Sequence, residues 1–426
     1  RLAPSVVGYA VLRGQSNASW SSDSISVGDL LPKGVIELEE GIAHLEFLSG
    51  VQMVIEGHSR FEIQSPMLVT MEHGRARAQV PEPAQGFEIL TRSGKIIDLG
   101  TEFAVDINEN ESLVHVIDGE VELQAGNETE RVLVGSTKSL LPSGRITTAS
   151  MSRVELIGPS DFRDLAREQM RERILGWESK LVQLTEDPRL VGCYQFSSIG
   201  DQPRMIGNAA KAHPLPATGG VIVAGDLASD RWGRTQRALD FGGIGSSVRV
   251  NVPGELRGLT LSCWVNIDSL DRWYNSLFLT DGHEDFEPHW QIMDDGRVFF
   301  SVKLPSPSGQ RGPETQVEYY SPSIKAATTT GKWMMLSITY DVENECVKHF
   351  LNGEEISSQP IPADALIDSI RIGNASICNW NDPMYRTKDE WVLRNLNGTM
   401  DEFLVFEGAL TPHEINGLFL VGNPNG

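Results

Sequence analysis

The sequence predicts a mostly β protein: a β-roll or sandwich domain over 1–157, one linking amphipathic helix over 158–187, and a jelly-roll β-sandwich over 188–426. Three observations carry this. Apolar and polar residues alternate through the first part, with Gly or Pro interrupting roughly every ten residues. From Ser160 the apolar period changes from two to about three and a half. After Pro188 the period of two returns and continues to the end of the chain.

In the first part, Val6 to Leu12, Val35 to Glu39, Ala43 to Phe47, Val51 to Ile55 and Arg60 to Ile63 read as short strands. Phe103, Val105 and Ile107 then share one face, and Val114, Val116, Val121 and Leu123 repeat the period around Asp118-Gly119. Asp-Gly supplies the positive φ that a tight turn needs, so a hairpin is expected there. Ser16 to Ser26 reads as an exposed loop in which Trp20 packs.

In the helical stretch, Met170, Ile174, Trp177, Leu181 and Leu184 form one apolar stripe among charged residues. Ser160 suits an N-cap, Asp161 favours the positive end of the dipole, and Glu186-Asp187-Pro188 stops the helix. The stripe is expected to lie against a neighbouring domain. A coiled-coil contact is the alternative, although fewer than four heptads are present.

Composition narrows function. The net charge of −22 argues against a nucleic-acid partner, since such binding relies on Lys and Arg displacing counterions from phosphate. No apolar run is long enough to span a membrane. The opening residues break too early for a signal peptide and start at Arg1, which reads as a fragment or processed product; any membrane anchoring would come from a segment outside this chain. The four cysteines Cys193, Cys263, Cys346 and Cys378 lack metal-ligand spacing, and free thiols or disulfides both stay open. No GxGxxG, P-loop, GxSxG or HExxH stands in a suitable context, so no organic cofactor is expected.

The run Ile97 to Val105, with Val116-Ile117-Asp118-Gly119-Glu120-Val121-Glu122, resembles the signature of the FecR family, and the likeness covers residues 6 to 150. This resemblance implies an extracytoplasmic location, periplasm or cell envelope, with inner-membrane anchoring in the full-length product, and a part in sigma-factor signalling of the anti-sigma type. Asp98 and Glu102 are expected to bond backbone groups at a strand junction.

The second half is similar to laminin-G-like, concanavalin A-like domains over residues 190 to 422. The marks are Ala238-Leu239-Asp240-Phe241, the run Lys332 to Asp341 followed by Phe350-Leu351-Asn352-Gly353, and the ending from Asn397 to Phe419, where Thr411 and Glu414 form a capping box. This likeness implies a rim calcium site, for which Asp401 and Asp240 are the metal candidates, with a buried carboxylate bonded to backbone as the alternative for Asp401; Ser246-Ser247 stands where the family carries an acid. Relatives that hydrolyse glycosides use paired carboxylates spaced ExDxxE. That spacing is missing, so no catalytic residue is assigned and no enzyme is expected.

Sugar recognition needs aromatic faces beside amides and carboxylates. The ligand-binding candidates are Trp380, Asn379, Tyr385, Trp290 and Trp273, with Tyr274 and Trp391 beside them, whereas Trp264 and Trp333 read as core. A metal cluster of His283, Glu287 and His289 reads instead as a solvated loop. The expected function is a non-enzymatic envelope sensor binding a glycan or envelope protein, with a structural or adhesive scaffold as the alternative.

Overall fold

A computed structural model describes residues 8–21, 25–149, 156–199, 201–282, 284–305, 316–328, 331–380 and 393–424. It is mostly β and divides into two compact units, Arg1–Glu172 and Arg173–Pro424. The boundary falls inside helix α1, Pro159–Thr185.

Among the described residues of the first unit thirteen strands join in one branched sheet. Three long strands, Gly34–Phe47, Gln52–Ser65 and Leu68–Gln79, form its middle and shift register part-way along. The shifts sit at close backbone approaches: Gly41 has φ +83°, and a Cβ there would lie 2.2 Å from the Asn17 carbonyl oxygen. Only glycine tolerates both conditions, and the resulting bend rolls the sheet over its core of Val, Ile, Leu and Phe side chains.

Asp98 is fully buried and works as a turn staple. Its Oδ2 accepts from the Gly100 N–H at 2.8 Å, and its Oδ1 accepts from the N–H and hydroxyl of Thr101. Glu102 does not share that task, because its carboxylate pairs with Arg77 at 2.7 Å.

The Asp118-Gly119 step is not a hairpin. Ser112–Asp118 pairs with Glu102–Ile107 and Thr137–Leu140, whereas Glu120–Ala125 pairs with Gly94–Asp98 and Glu128–Leu133. Gly119 alone takes positive φ, +75°. A two-residue hairpin of the favoured type needs it at both central positions, so the chain crosses from one branch of the sheet to the other. Trp20 ends a strand, Gly8–Trp20, rather than standing in a loop, and its indole donates to Gln15 at 3.0 Å.

Helix α1 opens at Pro159 itself, one residue before the expected cap, where proline's missing N–H costs nothing. In the first unit Phe162 is buried against His44, ring centroids 5.6 Å apart.

The second unit is an antiparallel sandwich of an eight-stranded and a nine-stranded sheet. Asn397–Glu407, Leu259–Ser269 and Trp333–Asp341 form the centre of the first; Ile370–Ile377, Tyr274–Thr280, Pro288–Met293, Arg297–Lys303 and Gln316–Ser323 are five consecutive strands of the second. Apolar side chains from both fill the space between them. Asn352 and Gly353 both take positive φ, +51° and +81°, and close the expected hairpin. After a short helical turn α2 (Lys325–Thr328), helix α3 (Pro412–Gly422) ends the described chain with the Thr411–Glu414 capping box formed. All four cysteines are free, and burial raises the Cys193, Cys263 and Cys378 thiols.

Candidate functional site

The two sheets of the sandwich each have an outward face, and the chemistry divides between them.

On the eight-stranded sheet Trp264, Asp401 and Glu402 lie outside the core, and the adjacent Asp401 and Glu402 share the outer side because the register shifts between Trp264 and Val265. They meet Arg231, whose guanidinium lies 4.9 Å from the Trp177 ring, 5.1 Å from Trp232 and 4.8 Å from Trp264. Its backbone N–H donates to Asp401 Oδ2 at 2.8 Å, its Nη1 to Asp401 Oδ1, and its Nε to the Gly422 carbonyl at 2.9 Å. Glu402 stands 3.7 Å from Nη2. One guanidinium faces two buried carboxyls, so the charges do not balance. Burial raises both acids, and Glu402 is pushed up to about 7 despite Arg231. The residual cavity of about 20 Å³ is no larger than a water. This is a clamp that seats the second half of α1 through Trp177, the place where the apolar stripe ends up with Leu181 and Leu184 also buried.

Asp401 therefore does not make the calcium site expected of it. A hard cation needs several free oxygens, and both of its oxygens are committed to Arg231. Asp240, the exposed last residue of the strand Ala238–Asp240, accepts from the Gly242 N–H at 2.7 Å. Among the described residues no group of three His, Cys, Asp or Glu is placed to hold a metal. His283 lies outside the described residues; Glu287 and His289 are buried, and His289 belongs to a strand rather than a solvated loop.

On the nine-stranded sheet the outward positions form an aromatic row. Trp273 meets Tyr274 at 6.5 Å, Tyr274 meets Phe299 at 6.1 Å, and Phe299 meets Tyr320 at 5.3 Å. Arg394 lies between Tyr274 (4.8 Å) and Trp380 (4.5 Å), and Arg297 lies 4.7 Å over Tyr320. His289, Gln291, Ser301 and Lys303 add buried polar groups to the same face, with Gln291 accepting from Arg394 at 3.4 Å. The Tyr320 hydroxyl donates to Glu318 at 2.7 Å, and burial followed by that carboxylate raises its pKa. Unlike the clamp, this row reaches water: Trp273 is 51 % exposed.

The expected ligand residues separate accordingly. Trp273 heads the row. Trp380 is half-buried, stacked by Arg394, set against His289 at 5.2 Å and tied through Nε1 to the Asp281 carbonyl at 3.2 Å. Asn379 is spent on the backbone, donating to the Ser246 carbonyl at 3.1 Å and accepting from the Trp380 N–H. Trp290 is not a ligand residue: it is fully buried between the sheets, sharing the inward face with Ile292 and tilted against Phe403. Trp333 is half-buried rather than core, whereas Trp264 is buried but on the outer side of its sheet. Tyr385 and Trp391 lie outside the described residues. Phe299, Tyr320, Arg297 and Arg394 were not foreseen. The pairs Phe299-Phe300 and Tyr319-Tyr320 could have shown the row, since adjacent residues of a strand point to opposite faces and each pair must send one ring outward.

Comparison with known proteins agrees with these two units. Residues 36–122 match the family described as FecR protein, and residues 242–416 match the concanavalin A-like lectin/glucanases superfamily. A search of curated proteins finds no match. Among solved structures, the receptor binding domain of botulinum neurotoxin D is similar at 13 % identity and TM-score 0.39, over 55 % of this chain and 52 % of that one. A botulinum neurotoxin type C structure gives 13 % identity and TM-score 0.41, over 56 % of this chain and 52 % of that one. The chain thus spans about half the length of these structures. It joins a FecR domain to a concanavalin A-like β-sandwich domain.

Proposed function

We propose that this chain is a non-enzymatic sensor of the cell envelope, of the FecR signalling type, and that its sandwich domain binds a glycan on the outward face of the nine-stranded sheet. The observation that carries the proposal is the aromatic row ending in exposed Trp273, flanked by Arg394 and Arg297. An aromatic ring offers an apolar face to the C–H side of a sugar, and a half-exposed guanidinium such as that of Arg297 bonds hydroxyls or acidic substituents. A binding role suits the carboxylates around this face better than catalysis does. Asp281 is paired with Arg249, Asp295 with Arg297, and Glu318 with Tyr320. Hydrolysis of a glycoside needs two carboxyls free to trade a proton and attack or activate water. The FecR match supports a signalling role for the first unit, and an extracytoplasmic, sigma-factor-linked place for it is part of the proposal.

The test is a glycan-array screen with the intact chain, followed by titration of any hit against Trp273→Ala. Binding weakened by about tenfold or more in the variant, with unchanged melting, supports the proposal. Silence across the array favours the scaffold reading instead.

A further inference from the structure

A second cleft lies on the opposite side of the sandwich, between the last turns of α1 and helix α3. Its volume is about 220 Å³. Leu184, Phe406, Leu410 and Leu418 give it an apolar floor, and Lys180 stands at its rim. We propose that this cleft binds a small amphipathic carboxylate, an aromatic or short aliphatic acid, with its apolar part on the floor and its charge against Lys180.

Two features beyond shape support this occupant. The first is Gly417, which lines the cleft from the interior of α3. A Cβ built there meets nothing within 4 Å, and Gly417 is absent from the residues of positive φ. Glycine in a helix interior is destabilising by roughly 1 kcal/mol relative to alanine. Here neither a turn nor a close contact requires it, and its effect is to keep the cleft open.

The second feature is how charge is distributed at the rim. Arg189 is held by two carboxylates, Asp187 at 2.9 Å and Glu414 at 2.8 Å, and Glu414 is tied further into the capping box. That side of the rim is internally satisfied and fixed in place. Lys180 feels the Asp187 carboxylate across the cleft, but Asp187 is itself bonded to Arg189, so the Lys180 ammonium can turn to an incoming anion. The volume limits the apolar part: a 150 Å³ apolar cavity accepts benzene, so this cleft suits a ring or a chain of roughly six to eight carbons.

The proposal is independent of glycan binding, because the cleft is built on the eight-stranded sheet and shares no residue with the aromatic row. The experiment is calorimetric titration of the intact chain with octanoate and with 1-octanol, in wild type, Gly417→Leu and Lys180→Gln. Leucine at 417 fills the cleft in a helix-compatible conformation, so its melting temperature should equal or exceed that of wild type while octanoate affinity falls at least about thirtyfold. Lys180→Gln should weaken octanoate by about tenfold, leave octanol unchanged and so abolish the preference for the acid. Absence of saturable octanoate binding to wild type, full binding to Gly417→Leu, or an unaltered acid-to-alcohol ratio in Lys180→Gln would each overturn the proposal. Should Gly417→Leu fail to fold, the Lys180→Gln ratio decides alone.

Discussion

On the eight-stranded sheet Trp264 is 2 % exposed and closes with Trp177 and Trp232 around Arg231; on the nine-stranded sheet Trp273 is 51 % exposed at the end of a row that carries Arg394 and Arg297. Both faces are made of aromatic rings, guanidinium groups and carboxylates. What separates them is stoichiometry and cover. Around Arg231 three rings and two acids enclose a single cation, and α1 and α3 bring Trp177 and the Gly422 carbonyl to it. Along the other face the rings are laid side by side, Arg394 and Arg297 cover Tyr274, Trp380 and Tyr320, and the exposed ring of Trp273 is left for something else. Aromatic and charged composition therefore does not identify a binding site until the number of rings per cation is known.

The largest expected effect comes from breaking the enclosed side. Arg231→Leu leaves Asp401 and Glu402 buried without their counter-charge, and a loss of about 3–5 kcal/mol is expected in urea or thermal unfolding. Removing the excess acid should do the opposite. Glu402 is raised in the folded state to about 7, so it binds its proton more tightly folded than unfolded, and its contribution to stability is lost as pH rises from about 4.5 through 7. Glu402→Gln should therefore leave stability unchanged at pH 4 and increase it by roughly 2–3 kcal/mol above pH 7, as read from melts across that range.

A buried group inside the sandwich behaves in the reverse sense. Burial lowers His349 to about 4, outweighing the opposing pull of the Tyr319 backbone. Its proton favours the unfolded chain, so stability falls as pH drops from about 6.5 toward 4. His349→Leu should flatten that acid limb, with a gain of up to about 3 kcal/mol near pH 4 and a small change at pH 8.

Smaller effects sharpen the contrast from the open side. Trp273→Ala should shift stability by less than about 0.5 kcal/mol, as for other exposed positions, while Trp380→Ala should cost about 1–3 kcal/mol because its ring is stacked on Arg394. The smallest effect expected is that of calcium. With Asp401 occupied by Arg231, millimolar calcium should leave the melting temperature of wild type and of Asp240→Asn the same; a rise in wild type alone would restore Asp240 as a ligand.

Much of the architecture was legible in the sequence because it depends on local pattern. The period of two fixed the strands, Asn352-Gly353 marked a real hairpin, and Thr411 with Glu414 marked the start of α3. Asp118-Gly119 misled because the same dipeptide also serves a single left-handed step between strands that pair elsewhere. The exposure of Trp273 was readable from its polar neighbours. Trp290 was not, since Pro288 suggested a loop where the chain in fact begins a strand that sends this ring inward. Arg231 gave no local sign of its role: its partners lie at Trp177, Trp264 and Asp401, brought together only by the packing of α1 and α3 on the sheet. Long-range juxtaposition of this kind has no periodicity to detect.

The contrast between the two faces is tested most directly by titrating one glycan hit into wild type, Trp273→Ala and Arg231→Leu while following the melt of each. The expected result is loss of binding without loss of stability in Trp273→Ala, and loss of stability with binding retained by the fraction that remains folded in Arg231→Leu. Unchanged affinity in Trp273→Ala, or binding lost from folded Arg231→Leu, would contradict the assignment of one face to ligand and the other to the clamp.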